Sequence, residues 1–114
     1  MIYLIIFQIL IGTVQCRSDT DATEDSMERE EFIAQLTGQG FETFVDVERE
    51  ANGMLDSHSH PFESKALILD GEIRIVIAGL ECTYRKGDVF ELADGMEHAE
   101  HYGPQGVRYL VGRK

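Results

Sequence analysis

Between residues 41 and 112 the chain is punctuated by turn-forming groups about every 8–12 residues, and that spacing limits the fold more than any other feature. The groups are Asp70-Gly71, Ala78-Gly79, Lys86-Gly87-Asp88, Asp94-Gly95 and Gly103-Pro104-Gln105-Gly106. Between them the pattern has period 2, as extended chain requires. "FETFVDVERE" (41–50) sets Phe41, Val45 and Val47 on one side and Glu42, Asp46 and Glu48 on the other. "KALILDGEIRIVIAGLECTYRKGDVFEL" (65–92) holds apolar, β-branched runs on both sides of its turns, and "VRYLVG" (107–112) reads as a closing strand. Short strands at this spacing, without a second helix, predict an all-β sandwich or barrel.

One helix is expected, over 27–37. Asp25 can cap it with Glu28 three residues on, Glu30 and Glu31 suit its positive end, and Gly38 can end it. Phe32, Ile33 and Leu36 share a face, which predicts a lid lying on a sheet.

Upstream, "MIYLIIFQILIGTV" is apolar except for Gln8 and Thr13, too short for an ordinary membrane span and of signal-peptide length. It lacks a basic start and an A-x-A cleavage site. The expected organisation is a hydrophobic leader (1–16), an acidic linker (17–26) and one domain (27–114). Export follows if the leader is a signal peptide, and a cytoplasmic protein follows if the working start is Met27.

Acids outnumber bases 21 to 10, for a formal charge of −11, which excludes a nucleic-acid partner because phosphate backbones need stripes of Lys and Arg. Cys16 and Cys82, the only cysteines, are too few for a disulfide framework, and Cys82 reads as an inert, half-buried thiol in a strand.

The residues that carry chemistry are histidines. His58 and His60 are two apart, so on a strand both imidazoles face one side and can close on one ion. His98, just beyond the Asp94-Gly95 turn, is the candidate third ligand. His101 has the opposite parity and reads as a surface residue, whereas Met96 and Tyr102 share the parity of His98 and can fill the core or line a pocket. Asp56 shares the parity of His58 and His60 and is a candidate acceptor behind them.

At these residues the chain resembles the cupin superfamily, in particular the small single-domain, RmlC-like members. "GMLDSHSHPFESKALILDG" (53–71) is similar to the first cupin motif and "GDVFELADGMEH" (87–98) to the second, in the right order and separated by a short hairpin. The resemblance implies a double-stranded β-helix, or jelly-roll barrel, with one short N-terminal helix. It implies a divalent transition metal (Fe, Mn, Ni, Cu, Co or Zn) held by His58, His60 and His98, with a small organic molecule as substrate or ligand. It further implies either metal-dependent dioxygenase or isomerase chemistry or capture of a ligand without turnover, and pairing of the chain into a homodimer.

The chain departs from the motifs at two places. Ala93 stands where proline is usual. Ser64 stands where the family's metal-binding glutamate falls, with Glu63 one residue early. Strict alternation from His60 puts Phe62, Ser64, Ala66 and Ile68 inward and Glu63 and Lys65 outward. A bulge at Pro61 would turn Glu63 inward as a fourth ligand.

Overall fold

The computed structural model describes residues 27–114, so the leader and linker expected over 1–26, and the Asp25 cap with them, lie outside the described residues. Helix α1 (Arg29–Gly38) is followed by six strands: β1 (Thr43–Arg49), β2 (Met54–His58), β3 (Ser64–Ile77), β4 (Leu80–Arg85), β5 (Val89–Leu92) and β6 (His98–Arg113).

The frame is the antiparallel pair β3–β6, matched from Ser64 against Arg113 to Val76 against Ala99. One half of this ribbon carries β1 on β6 and β5 on β3; the other half carries β2 on β6 and β4 on β3. The ribbon therefore belongs to two layers, and the layers close over a common interior.

Two of the expected turns are bends within these long strands. The pairing register slips between Ile68 and Asp70 and again between Gly71 and Ile73, opposite the Gly103–Gly106 stretch. Asp70-Gly71 and Gly103-Pro104-Gln105-Gly106 are consequently bulged corners, where expectation had placed chain reversals. Gly71 (φ 75°) and Gly106 (φ 76°) meet there, and a Cβ on Gly71 would collide with the Gly106 carbonyl. Only glycine meets both demands. Each corner also flips parity: the inward set runs Ala66, Ile68 before it and Ile73, Ile75 after it on β3, and His98, Glu100, Tyr102 then Val107, Tyr109, Val111 on β6.

The turns at Ala78-Gly79, Lys86-Gly87 and Asp94-Gly95 are formed as expected. The first is a two-residue hairpin joining Ile77 to Leu80, with positive φ at both Ala78 (51°) and Gly79 (84°).

The interior holds Ala66, Ile68, Ile73, Ile75, Phe90, Leu92, Tyr102, Val107, Tyr109 and Val111, with Val45 and Val47 packed against it. Helix α1 starts at Arg29, two residues later than expected, and lies on the outer face: Phe32 and Leu36 join Leu67 and Leu110 in a second cluster. Phe41 belongs to that outer cluster and not with Val45 and Val47, because it precedes β1 and its backbone N–H still bonds the Leu36 carbonyl at 3.0 Å. Cys82, on edge strand β4, is disulfide-bonded, which corrects the expectation of a free thiol.

Candidate metal centre

His58 ends β2 and His98 begins β6, and the two are direct cross-strand partners. That register brings their rings to 4.3 Å between centroids. His60 follows β2, and its carbonyl accepts a hydrogen bond from the Gly95 N–H at 2.8 Å. The turn that launches β6 therefore also holds the His-x-His segment in place. His60 lies 5.1 Å from His58 and 5.4 Å from His98, ring to ring, with its other face stacked on Phe62. One nitrogen of each imidazole falls within 4.8 Å of the other two, so His58, His60 and His98 form a group that could hold a metal ion.

Main-chain carbonyls orient two of the rings. His58 Nδ1 lies 2.7 Å from the Asp56 carbonyl and His98 Nδ1 lies 3.1 Å from the Met96 carbonyl. A carbonyl can only accept, so each Nδ1 carries a proton and each Nε2 faces the centre, where that of His98 donates to Glu100 when the ring is doubly protonated. Asp56 thus supports His58 through its backbone, where the sequence reading looked to its side chain. Met96 likewise contributes only its carbonyl, and its side chain is exposed.

On the Nε2 side of the rings stands a group that the sequence reading missed. Glu100, two residues beyond His98 on the same face of β6, is buried, with Oε2 3.2 Å from His98 Nε2 and 3.4 Å from His58 Nε2. Its Oε1 accepts a hydrogen bond from the Tyr102 hydroxyl at 2.8 Å. The signal was present as His-x-Glu-x-Tyr at 98–102, three polar side chains of one parity in a strand facing the core. Glu63, by contrast, is not brought to the cluster. Its N–H and carbonyl pair with Lys114 while Phe62 and Ser64 line the cavity, so the alternation from His60 holds and no bulge at Pro61 turns Glu63 inward.

Charge binds this cluster together. For Glu100, burial favours the neutral acid, but the hydrogen bonds from His98 and Tyr102 and the neighbouring imidazoles outweigh it, and the carboxyl titrates below its ordinary range. For His98, burial disfavours the cation, yet the Glu100 and Met96 hydrogen bonds prevail and its pKa is raised. His60, first through burial and then through the like charges of His58 and His98, is lowered and stays neutral more readily. Burial and the Glu100 charge push the Tyr109 hydroxyl up to about 12.

These groups open on a cavity of about 140 Å³ inside the barrel, walled by Leu55, Phe62, Phe90 and Leu92 and reached by Arg49 and Arg113.

No family model matches the sequence and no curated protein matches it. Solved structures do. A DUF861 family protein from Thermotoga maritima superposes with a TM-score of 0.58 at 16% identity, over 74% of this chain and 90% of that one. A cupin-2 domain containing protein from Shewanella frigidimarina gives 0.53 at 19% identity, over 60% of this chain and 65% of its own. A variant of oxalate decarboxylase from Bacillus subtilis gives 0.56 at 18% identity, over 62% of this chain and only 20% of that enzyme. The fold is therefore the cupin double-stranded β-helix, and the chain spans just under two thirds of the length of the Shewanella protein.

Proposed function

We propose that this protein is a metal-binding cupin that takes a small organic molecule into its barrel, at a divalent transition metal held by His58, His60 and His98. The observation that carries the reading is the His58 Nε2 atom, which is buried in the three-histidine cluster and makes no hydrogen bond, its nearest carboxylate oxygen, Glu100 Oε2, standing 3.4 Å off. A buried ring nitrogen that makes no hydrogen bond is costly, and a metal–nitrogen bond would satisfy it. The donor set fits as well, since imidazoles with a nearby carboxylate suit Fe, Mn, Ni, Cu, Co or Zn.

A bound ion would supply Lewis-acid polarisation of the ligand, or redox chemistry if the metal is redox-active. The chain's own residues do the rest. The Asp56 and Met96 carbonyls fix the tautomers of His58 and His98. Glu100 holds negative charge beside both Nε2 atoms and has Oε2 placed to accept a proton, while Tyr102 pins Oε1. Leu55, Phe62, Phe90 and Leu92 limit water in the cavity. The same reading expects two copies to pair, which light scattering on the purified chain checks.

Metal analysis of protein purified without chelator tests the assignment. About one transition-metal ion per chain is expected in the wild type and only trace metal in His60→Ala, because a three-nitrogen site loses most of its affinity with one ligand. Trace metal in the folded wild type, before and after incubation with each candidate ion, would sink the reading. Oxygen uptake and product analysis against a panel of small molecules then separate turnover from capture.

A further inference from the structure

The pocket carries an unmatched positive side that the histidines do not explain. Arg113 closes β6 with the inward parity of Val107, Tyr109 and Val111, and its guanidinium carbon lies 4.9 Å from the centroid of the Phe62 ring. The ring that stacks on His60 is therefore the one beneath Arg113. Arg113 Nε is buried without a hydrogen-bond partner, and among the described residues no carboxylate lies within ion-pair distance of it. Stacking on an aromatic face accommodates the positive charge but leaves the N–H donors at the guanidinium edge unused. Arg49, at the inward-facing end of β1, lines the same cavity beside the Tyr109 hydroxyl. The one acid in the lining is Glu100, whose oxygens are already engaged by Tyr102 and His98. In a chain of net charge −11, two of only ten basic residues thus converge on one small, largely apolar cavity.

We infer that Arg113, with Arg49, forms an anion subsite, and that the small molecule taken by this barrel is an organic carboxylate whose acid group sits on the Arg113 guanidinium. A carboxylate matches the guanidinium edge, which offers parallel N–H donors in one plane. Phosphate is a poorer match, because its further charged oxygens would be left in a largely apolar cavity. The inference rests on reading the barrel cavity as the ligand site, but it does not require the metal.

The test titrates full-length protein by calorimetry with malonate, with its neutral counterpart malonamide, and with inorganic phosphate. Each titration is run on chelated protein and on protein loaded with Zn(II). Malonate is expected to bind both forms, phosphate at least about tenfold more weakly, and malonamide not at all; losing charge-assisted contacts to Arg113 in Arg113→Gln should weaken malonate by about tenfold or more. Arg113→Lys, which keeps the charge but not the planar fork, should fall between. Arg49→Gln should weaken malonate less than Arg113→Gln does. Thermal melts establish which variants fold, and the malonate–malonamide comparison needs no variant at all.

Malonate binding to chelated protein that tracks Arg113 supports the subsite even if the chain holds no metal. The inference is overturned if malonamide or phosphate binds as well as malonate, or if malonate does not bind at millimolar concentration. Binding that needs Zn(II) and ignores both arginine variants also overturns it, while leaving the metal reading intact.

Discussion

Glu100 shows what one residue adds to a site whose histidines were already visible. It stands 3.2 and 3.4 Å from the Nε2 atoms of His98 and His58, so its negative charge lies beside the nitrogens that would meet a metal. Removing its charge in Glu100→Gln is expected to weaken Zn(II) binding by about 10–100-fold, measured by competition with a chromophoric chelator. An unchanged affinity would reduce Glu100 to a structural acceptor for Tyr102. The same pair sets the pH response of the metal-free protein. The raised pKa of His98 means its contribution to stability is complete below the ordinary value of 6.5 and is lost as pH rises through the folded-state pKa. The lowered pKa of Glu100 means its contribution is present above 4.5 and is lost on acidification through its folded-state pKa. This pair therefore contributes most between about pH 4.5 and 6.5, while the lowered pKa of His60 costs stability as pH falls below 6.5; the difference in urea resistance between chelated wild type and Glu100→Gln should accordingly be greatest in that window. His58, His60 and His98 were legible in the sequence because period-2 counting is reliable over two residues. Glu100 was equally countable from His98, but a carboxylate beside a core-facing histidine is easily taken for surface until its burial is seen.

At the scale of elements, the hairpins and the corners behave differently although both are marked by glycine. Ala78 occupies a left-handed conformation, φ 51°, at the first position of the two-residue β3–β4 turn, where a side chain with a Cβ is strained. Ala78→Asn should relieve this and raise stability by about 1 kcal/mol. For a domain of this size that is a melting-temperature increase of about 4–8 °C by circular dichroism, and no increase would mean the turn is not strained. Gly71→Ala should act oppositely, costing about 1–3 kcal/mol or more, since positive φ and the Gly106 carbonyl both oppose a Cβ. The Ala78-Gly79 turn could be read from its flanking runs because a hairpin is a local object. Asp70-Gly71 could not be told from a turn, because whether the chain reverses or merely bends there depends on β6, more than thirty residues away. The lid helix was legible from Phe32 and Leu36, whereas its first turn was not, since Glu28 at the cap makes no side-chain hydrogen bond.

For the molecule as a whole, the ribbon β3–β6 brings the His58–His60 segment, the start of β6 and the far end of β6 to one cavity. A metal bound only by the native arrangement should stabilise all of it together. Chelation should lower unfolding free energy by about 2.7 kcal/mol relative to protein at a free metal concentration of 100 Kd, and His60→Ala should show no such difference. A chelator-insensitive wild type would mean that the three histidines do not hold the ion. The sequence by itself determined the all-β class, the lid helix and the three histidines, because each rests on local spacing or on motif order. The tertiary structure alone decided that Arg113 faces the cavity, that Glu100 is buried beside the histidines, and that no bulge at Pro61 turns Glu63 inward. For Arg113 the physical reason is the bulged corner: it flips inward and outward along β3 and β6, so the direction of a residue beyond it follows from cross-strand register, which no count along one strand can supply.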